Sequence, residues 1–76
     1  MYNFRFTYSG GHYRDYVHIS KVEFHSDSGV KSISGDVILS QDYPLNYDLH
    51  LISVLQSYKA PHNCLKSIKV TKEEKD

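Results

Sequence analysis

From Tyr2 to Tyr8 the chain alternates without a break: Tyr2, Phe4, Phe6 and Tyr8 are separated by Asn3, Arg5 and Thr7. A period of two is the pattern of a β-strand, whose successive side chains leave on opposite faces. One face of this strand is aromatic throughout and the other polar. Four rings in a row make a large apolar surface, so the rest of the chain must supply an element to lie across them. A core is the first reading of that face; a stacking platform for nucleic-acid bases and an oligomer interface are the alternatives.

Ser9-Gly10-Gly11-His12 ends the strand with residues suited to turns, and a loop is expected to wander on towards Asp15. Tyr16 to His25 is again rich in β-formers, but the apolar phase slips: Val17 and Ile19 share one parity, Val22 and Phe24 the other. A β-bulge near Ser20 and Lys21 accounts for the slip. Ser26-Asp27-Ser28-Gly29 suits a four-residue hairpin loop with Gly29 left-handed. It leads into a third strand over Val30 to Leu39, with Ile33, Val37 and Leu39 on one face.

Pro44 disfavours helix at Tyr43 and marks the start of a new segment. Asn46 is placed to cap a helix, and Tyr47, Leu51, Val54, Leu55 and Tyr58 recur at spacings of three and four. Asp48 in the first turn and Lys59 in the last complement the dipole of such a helix, and Pro61 ends it. Cys64 to Thr71 reads as a final strand, with Cys64, Ile68 and Val70 together on one side. The expected fold is therefore α+β: a small antiparallel sheet of about four strands, in chain order strand, strand, strand, helix, strand, with one helix packed on one face. It forms a single domain over residues 1–71, with a charged, fraying tail over 72–76.

With 76 residues there is room for one core only. No apolar run approaches the ~20 residues of a membrane-spanning helix, and the first residues lack the pattern of a secretory signal, which together predict a cytoplasmic protein. Cys64 is the single cysteine, so no internal disulfide reinforces the fold. Packing, or pairing with a second copy, has to do so instead, and a homodimer is one expectation. Net charge is zero but unevenly spread: residues 26–48 carry four aspartates against Lys31, and residues 49–71 carry Lys59, Lys66 and Lys69 without an acid.

Five histidines raise the question of a metal. Their spacing does not answer it: His18 and His25 lie seven apart, on opposite faces of a regular strand, and His12, His50 and His62 fall in a loop, on the expected helix and in a turn. No metal site and no cofactor are predicted. Cys64 and His62 lie two apart, but the strand parity assigns Cys64 to a buried apolar face rather than to a thiolate nucleophile. The Gly10-Gly11 loop lacks the lysine and adjoining helix of a phosphate cradle, and no catalytic residues are assigned.

The remaining candidates are surface groups. Tyr13, Arg14 and Tyr16 lie where the alternation does not demand burial, and tyrosine and arginine often anchor interfaces. With Arg5, Lys66 and Lys69 they make up the candidate binding surface. The function expected from these features is that of a non-enzymatic interaction module that binds a protein partner or itself. Small size and abundant tyrosine are compatible with an accessory or inhibitory protein of a bacterium or bacteriophage. The alternative is a nucleic-acid binder using the tyrosines with Arg5, Arg14, Lys66 and Lys69.

Overall fold

The computed structural model describes residues 1–45 and 48–73. Strand β1 (Tyr2–Tyr8) obeys the alternation closely, with Tyr2, Phe4 and Phe6 buried. The chain then reverses over Ser9–His12, where Gly10 and Gly11 take φ values of +90° and +89° that glycine adopts without strain. Tyr13 already belongs to the next strand, so the expected loop to Asp15 is shorter than the sequence suggests. Strand β2 (Tyr13–Ser26) is 14 residues long and organises the molecule. Its first half pairs with β1; its second half pairs with β4 (Leu49–Ser53) on one edge and β3 (Gly29–Ser34) on the other. Strand β5 (Ser57–Ala60) adds to β4, and β6 (Leu65–Lys72) adds to the free edge of β1. All six form one antiparallel sheet, in the order β5-β4-β2-β1-β6 with β3 off that path.

This corrects the α+β expectation. Residues 49–60, read as most of a helix, form a β-hairpin, and among the described residues the helical content is a single turn, α1 (Val37–Ser40). The stripe at three- and four-residue spacing competes with a second pattern in the same stretch. Leu49 and Leu51, which alternate with His50, are both fully buried against the core face of β2. Strand pairing buries Leu49, which the helical stripe omits, and leaves Leu55 90% exposed, which the stripe would bury. Ser53 closes the turn, its amide and hydroxyl both donating to the Gln56 carbonyl. The proposed cap Asn46, and Tyr47 of the stripe, lie outside the described residues. Asp48 and Lys59, assigned to opposite ends of a helix, are instead an ion pair between the start of β4 and β5, with Nζ 3.6 Å from Oδ2.

The third strand is also shorter than expected. It ends at Ser34, and after Gly35 (φ +71°) the chain turns into α1. That reverses the assigned faces: Ile38 is fully buried while Val37 and Leu39 are exposed. The β2–β3 connection is a two-residue turn, Asp27-Ser28, between the paired Ser26 and Gly29. Cys64 is exposed, with φ +62°, in the turn before β6 rather than buried within it.

The phase slip in β2 has the cause expected, in duplicate. Val17 and His18 together oppose Asn3 of β1, with His18 at φ +60°, and Ser20 is the extra residue against β4. Each bulge shifts the side-chain parity by one, so Tyr16, Ile19, Val22 and Phe24 all reach the core while Val17 does not. A straight strand of this length would span roughly 43 Å, more than the 35 Å longest dimension of the molecule. The two bulges bend β2 and fold the sheet over, bringing its halves face to face. Tyr16 of the first half meets Tyr58 of β5 at 5.5 Å between ring centroids. Tyr43 fills the open side, edge-on to Phe4 and stacked on Phe24, and its hydroxyl donates to the Ile38 carbonyl at 2.6 Å. Burial there pushes the Tyr43 phenol well above its usual pKa. The layer that the aromatic row of β1 demands is thus supplied by the other half of the sheet together with Ile38 and Tyr43.

At the far edge the β6 ladder runs through Lys72, and the Glu73 amide donates to the Met1 carbonyl. Lys72 also reaches Asp36, which accepts from the Tyr2 hydroxyl at 2.6 Å. These contacts tie the start of α1 to β1 and β6. Among the described residues no helix is long and apolar enough to cross a membrane.

Candidate functional site

The six candidate surface residues do not form one site. Arg5, Tyr13 and Lys69 come together on the outer face of the β1–β2–β6 half, because Arg5 is the register partner of both Asp15 and Lys69. The Arg5 guanidinium grips the Asp15 carboxylate with two hydrogen bonds, of 2.7 and 2.9 Å, and lies 4.3 Å above the Tyr13 ring. That grip holds the Asp15 carboxyl below its usual range and raises Arg5. It also commits the charge of Arg5 within the protein. A shallow cavity of about 280 Å³ lies beside it, lined by Asn3, Val17, Lys69 and Thr71 among others.

The other three candidates lie elsewhere. Arg14 is opposite Phe6 and exposed at the rim of the core face. Lys66 is the extra residue of a bulge where β6 shifts register against β1. Tyr16 is 7% exposed, in edge-to-face contact with Phe6 at 5.4 Å, so it belongs to the core rather than to a surface. Its buried hydroxyl finds no hydrogen-bond partner among the described residues. Desolvating a hydroxyl without a partner is unfavourable, so Tyr16→Phe is expected to raise stability by about 1 kcal/mol. Urea unfolding would show this as a higher midpoint at unchanged slope; a lower midpoint would mean that the hydroxyl is bonded.

Two features not anticipated from sequence stand out. One is an apolar patch at the tip of the β4–β5 turn. Val54 and Leu55 are 73% and 90% exposed at a position where polar turn residues are the rule. The Ser53 and Gln56 hydrogen bonds hold this turn in a fixed shape. The turn, with Val54 and Leu55, forms one wall of a recess of about 440 Å³ whose other borders are Met1, Val17, His18 and Tyr58. Val17 faces outward here because of the bulge next to it, and His18 is held by Glu73 at 2.8 Å. The signal lies in Ser-Val-Leu-Gln, but the helical stripe absorbs it.

The other feature is a histidine cleft. His25, His50 and His62 line one open depression of about 640 Å³, with Asp48 and Lys59. Glu23, His50 and Lys59 form a row across β2, β4 and β5 on the outer face, and His25 lies diagonally from His50. The His25 and His50 rings stack with centroids 3.8 Å apart and planes 27° apart. His25 Nε2 lies 3.2 Å from Glu23, and His62 Nδ1 is hydrogen-bonded to Asp48. Burial, with His25 alongside, pulls the His50 imidazole below its usual pKa. The hydrogen bond with His62 holds the Asp48 carboxyl low, and that with His25 does the same for Glu23. Among the described residues no group of three acidic, histidine or cysteine side chains is arranged to hold a metal ion.

Comparison with protein-family models, with curated proteins and with solved structures finds no match.

Proposed function

We propose that this protein is a non-enzymatic interaction module that pairs with a second copy of itself through the Val54–Leu55 turn. The observation that carries the reading is a pair of large aliphatic side chains, almost fully exposed on a hydrogen-bonded turn that forms one wall of an apolar recess. Under a two-fold axis the same patch faces itself: each copy's Leu55 meets the other's recess, whose wall includes that copy's own Val54 and Leu55 together with Met1 and Val17. A preformed turn gives up little conformational freedom on docking. Zero net charge removes the self-repulsion that would oppose pairing. The nucleic-acid alternative is weakened by the Arg5–Asp15 pair, which already occupies the arginine best placed among the tyrosines.

The test is solution mass by light scattering over a dilution series. The parent chain is expected to approach twice its 8.8 kDa. Leu55→Lys is expected to weaken association by tenfold or more, the equivalent of about 1.4 kcal/mol. Val30→Lys, at an exposed position on β3, is expected to leave association unchanged. A parent chain that stays monomeric at every concentration would overturn the proposal. So would a complex with a single-stranded oligonucleotide that dissolves as salt rises, which is the signature of phosphate binding.

A further inference from the structure

We infer that His25 and His50 form a two-imidazole chelating site for a divalent transition-metal ion, of the class represented by zinc, nickel and copper. The two rings come from adjacent internal strands and meet at 3.8 Å between centroids on an open face. The ladder, with Glu23 opposite His50 and Phe24 opposite Leu49, fixes the separation of the two backbones, so an ion has only side-chain rotamers to order. In the stacked arrangement the ring lone pairs lie in two nearly parallel planes. Convergence on one ion requires the His50 ring, which makes no hydrogen bond among the described residues, to turn to another rotamer while Glu23 keeps His25 in place, and the cleft of about 640 Å³ leaves room for that movement.

The surroundings have the features that orient metal-binding imidazoles. The Glu23 carboxylate engages His25 Nε2 and leaves Nδ1 for an ion, the carboxylate–histidine pairing that raises ligand basicity. Glu23 and Asp48 supply negative charge beside the pair, while Lys59 is drawn to Asp48. Because no third group converges among the described residues, the site has two protein ligands and water completes the shell. Such an open site suits ions that prefer imidazole over carboxylate ligands and excludes calcium or magnesium, which require several oxygen donors. The neighbouring His62 is fixed to Asp48 through Nδ1 and is not needed for the chelate.

Zinc chloride is the probe, added to the full chain and monitored through the ¹H–¹⁵N signals of the imidazole rings. Zinc is expected to shift His25 and His50 together, with one ion per chain, and to raise the melting temperature, because an ion that bridges β2 and β4 binds the folded state alone. His25→Gln and His50→Gln should each weaken binding at least tenfold, and His12→Gln should leave it unchanged. Amide spectra of the two cleft variants without metal confirm that they fold. Shifts confined to other histidines, binding as tight in the cleft variants as in the parent, or no response to zinc would each overturn the site. The outcome is independent of self-association, since Leu55→Lys should bind zinc like the parent chain.

Discussion

Phe4→Ala is expected to cost about 3–5 kcal/mol, the usual penalty for removing a buried ring and leaving its cavity. Phe4 is 1% exposed on β1, between register partners Tyr16 on β2 and Val70 on β6. Its ring meets Tyr43 edge-on at 5.5 Å and lies 6.3 Å from Phe6. A domain of this length has a total stability of roughly 4–11 kcal/mol. The variant should therefore lose most of its resistance to urea, and at the low end of that range it should be unfolded at ambient temperature. Equilibrium unfolding measures this directly. A loss under about 1 kcal/mol would be that of a surface site and would place the aromatic row of β1 outside the core.

The second large effect separates the sheet from the helix that the sequence proposes for the same residues. A helix with its stripe against the core buries Leu51 and Leu55 alike, four residues apart. The hairpin buries Leu51 completely and leaves Leu55 in solvent. Leu51→Ala should thus cost about 2–5 kcal/mol, while Leu55→Ala, measured at concentrations low enough to keep the chain monomeric, should cost no more than about 0.5 kcal/mol. Comparable losses from both substitutions would restore the helix. Far-UV circular dichroism of the parent gives a parallel test: the sheet predicts the single broad minimum of β-structure, without the double minimum of helix.

How much of the fold is legible in the sequence depends on how local each signal is. The strand at Tyr2–Tyr8 can be read because four aromatics on a strict period of two admit no other regular structure. The slip in β2 is readable for the same reason, since Ile19 against Val22 and Phe24 breaks parity and a bulge is the least costly repair. Its doubling at Val17–His18 is not readable, because Val17 is apolar and looks like a core residue in either phase. Residues 47–58 carry two patterns at once. Choosing between them depends on the free edge of β2 at Ile19–Phe24, a partner distant in sequence, and such pairing overrides local propensity. The turn at Val54–Leu55 is hidden for the same reason, as aliphatic residues in a turn resemble a helix stripe. The histidine cleft is invisible from spacing because His25 and His50 lie 25 positions apart and meet only once β4 aligns against β2. Of the candidate surface, only Arg5, Tyr13 and Lys69 share a face, and it takes the β1–β6 register to bring Lys69 there.

That register also bears on how the protein is made. Tyr2 pairs with Lys72, and the ladder continues through Thr7 and Ser67. A chain emerging from the ribosome presents β1 before β6, with β2 to β5 in between. Until then β1 can form a hairpin with β2, a pairing of marginal stability by itself, while its other edge stands open beside a row of aromatic rings. Closing this seam requires a loop of nearly the whole chain, which places folding among the slower, millisecond-to-second class of all-β domains. The nascent protein therefore passes through a stage when its aromatic strand is half-paired. Until β6 docks, the open edge of β1 is a place where another chain could add a strand.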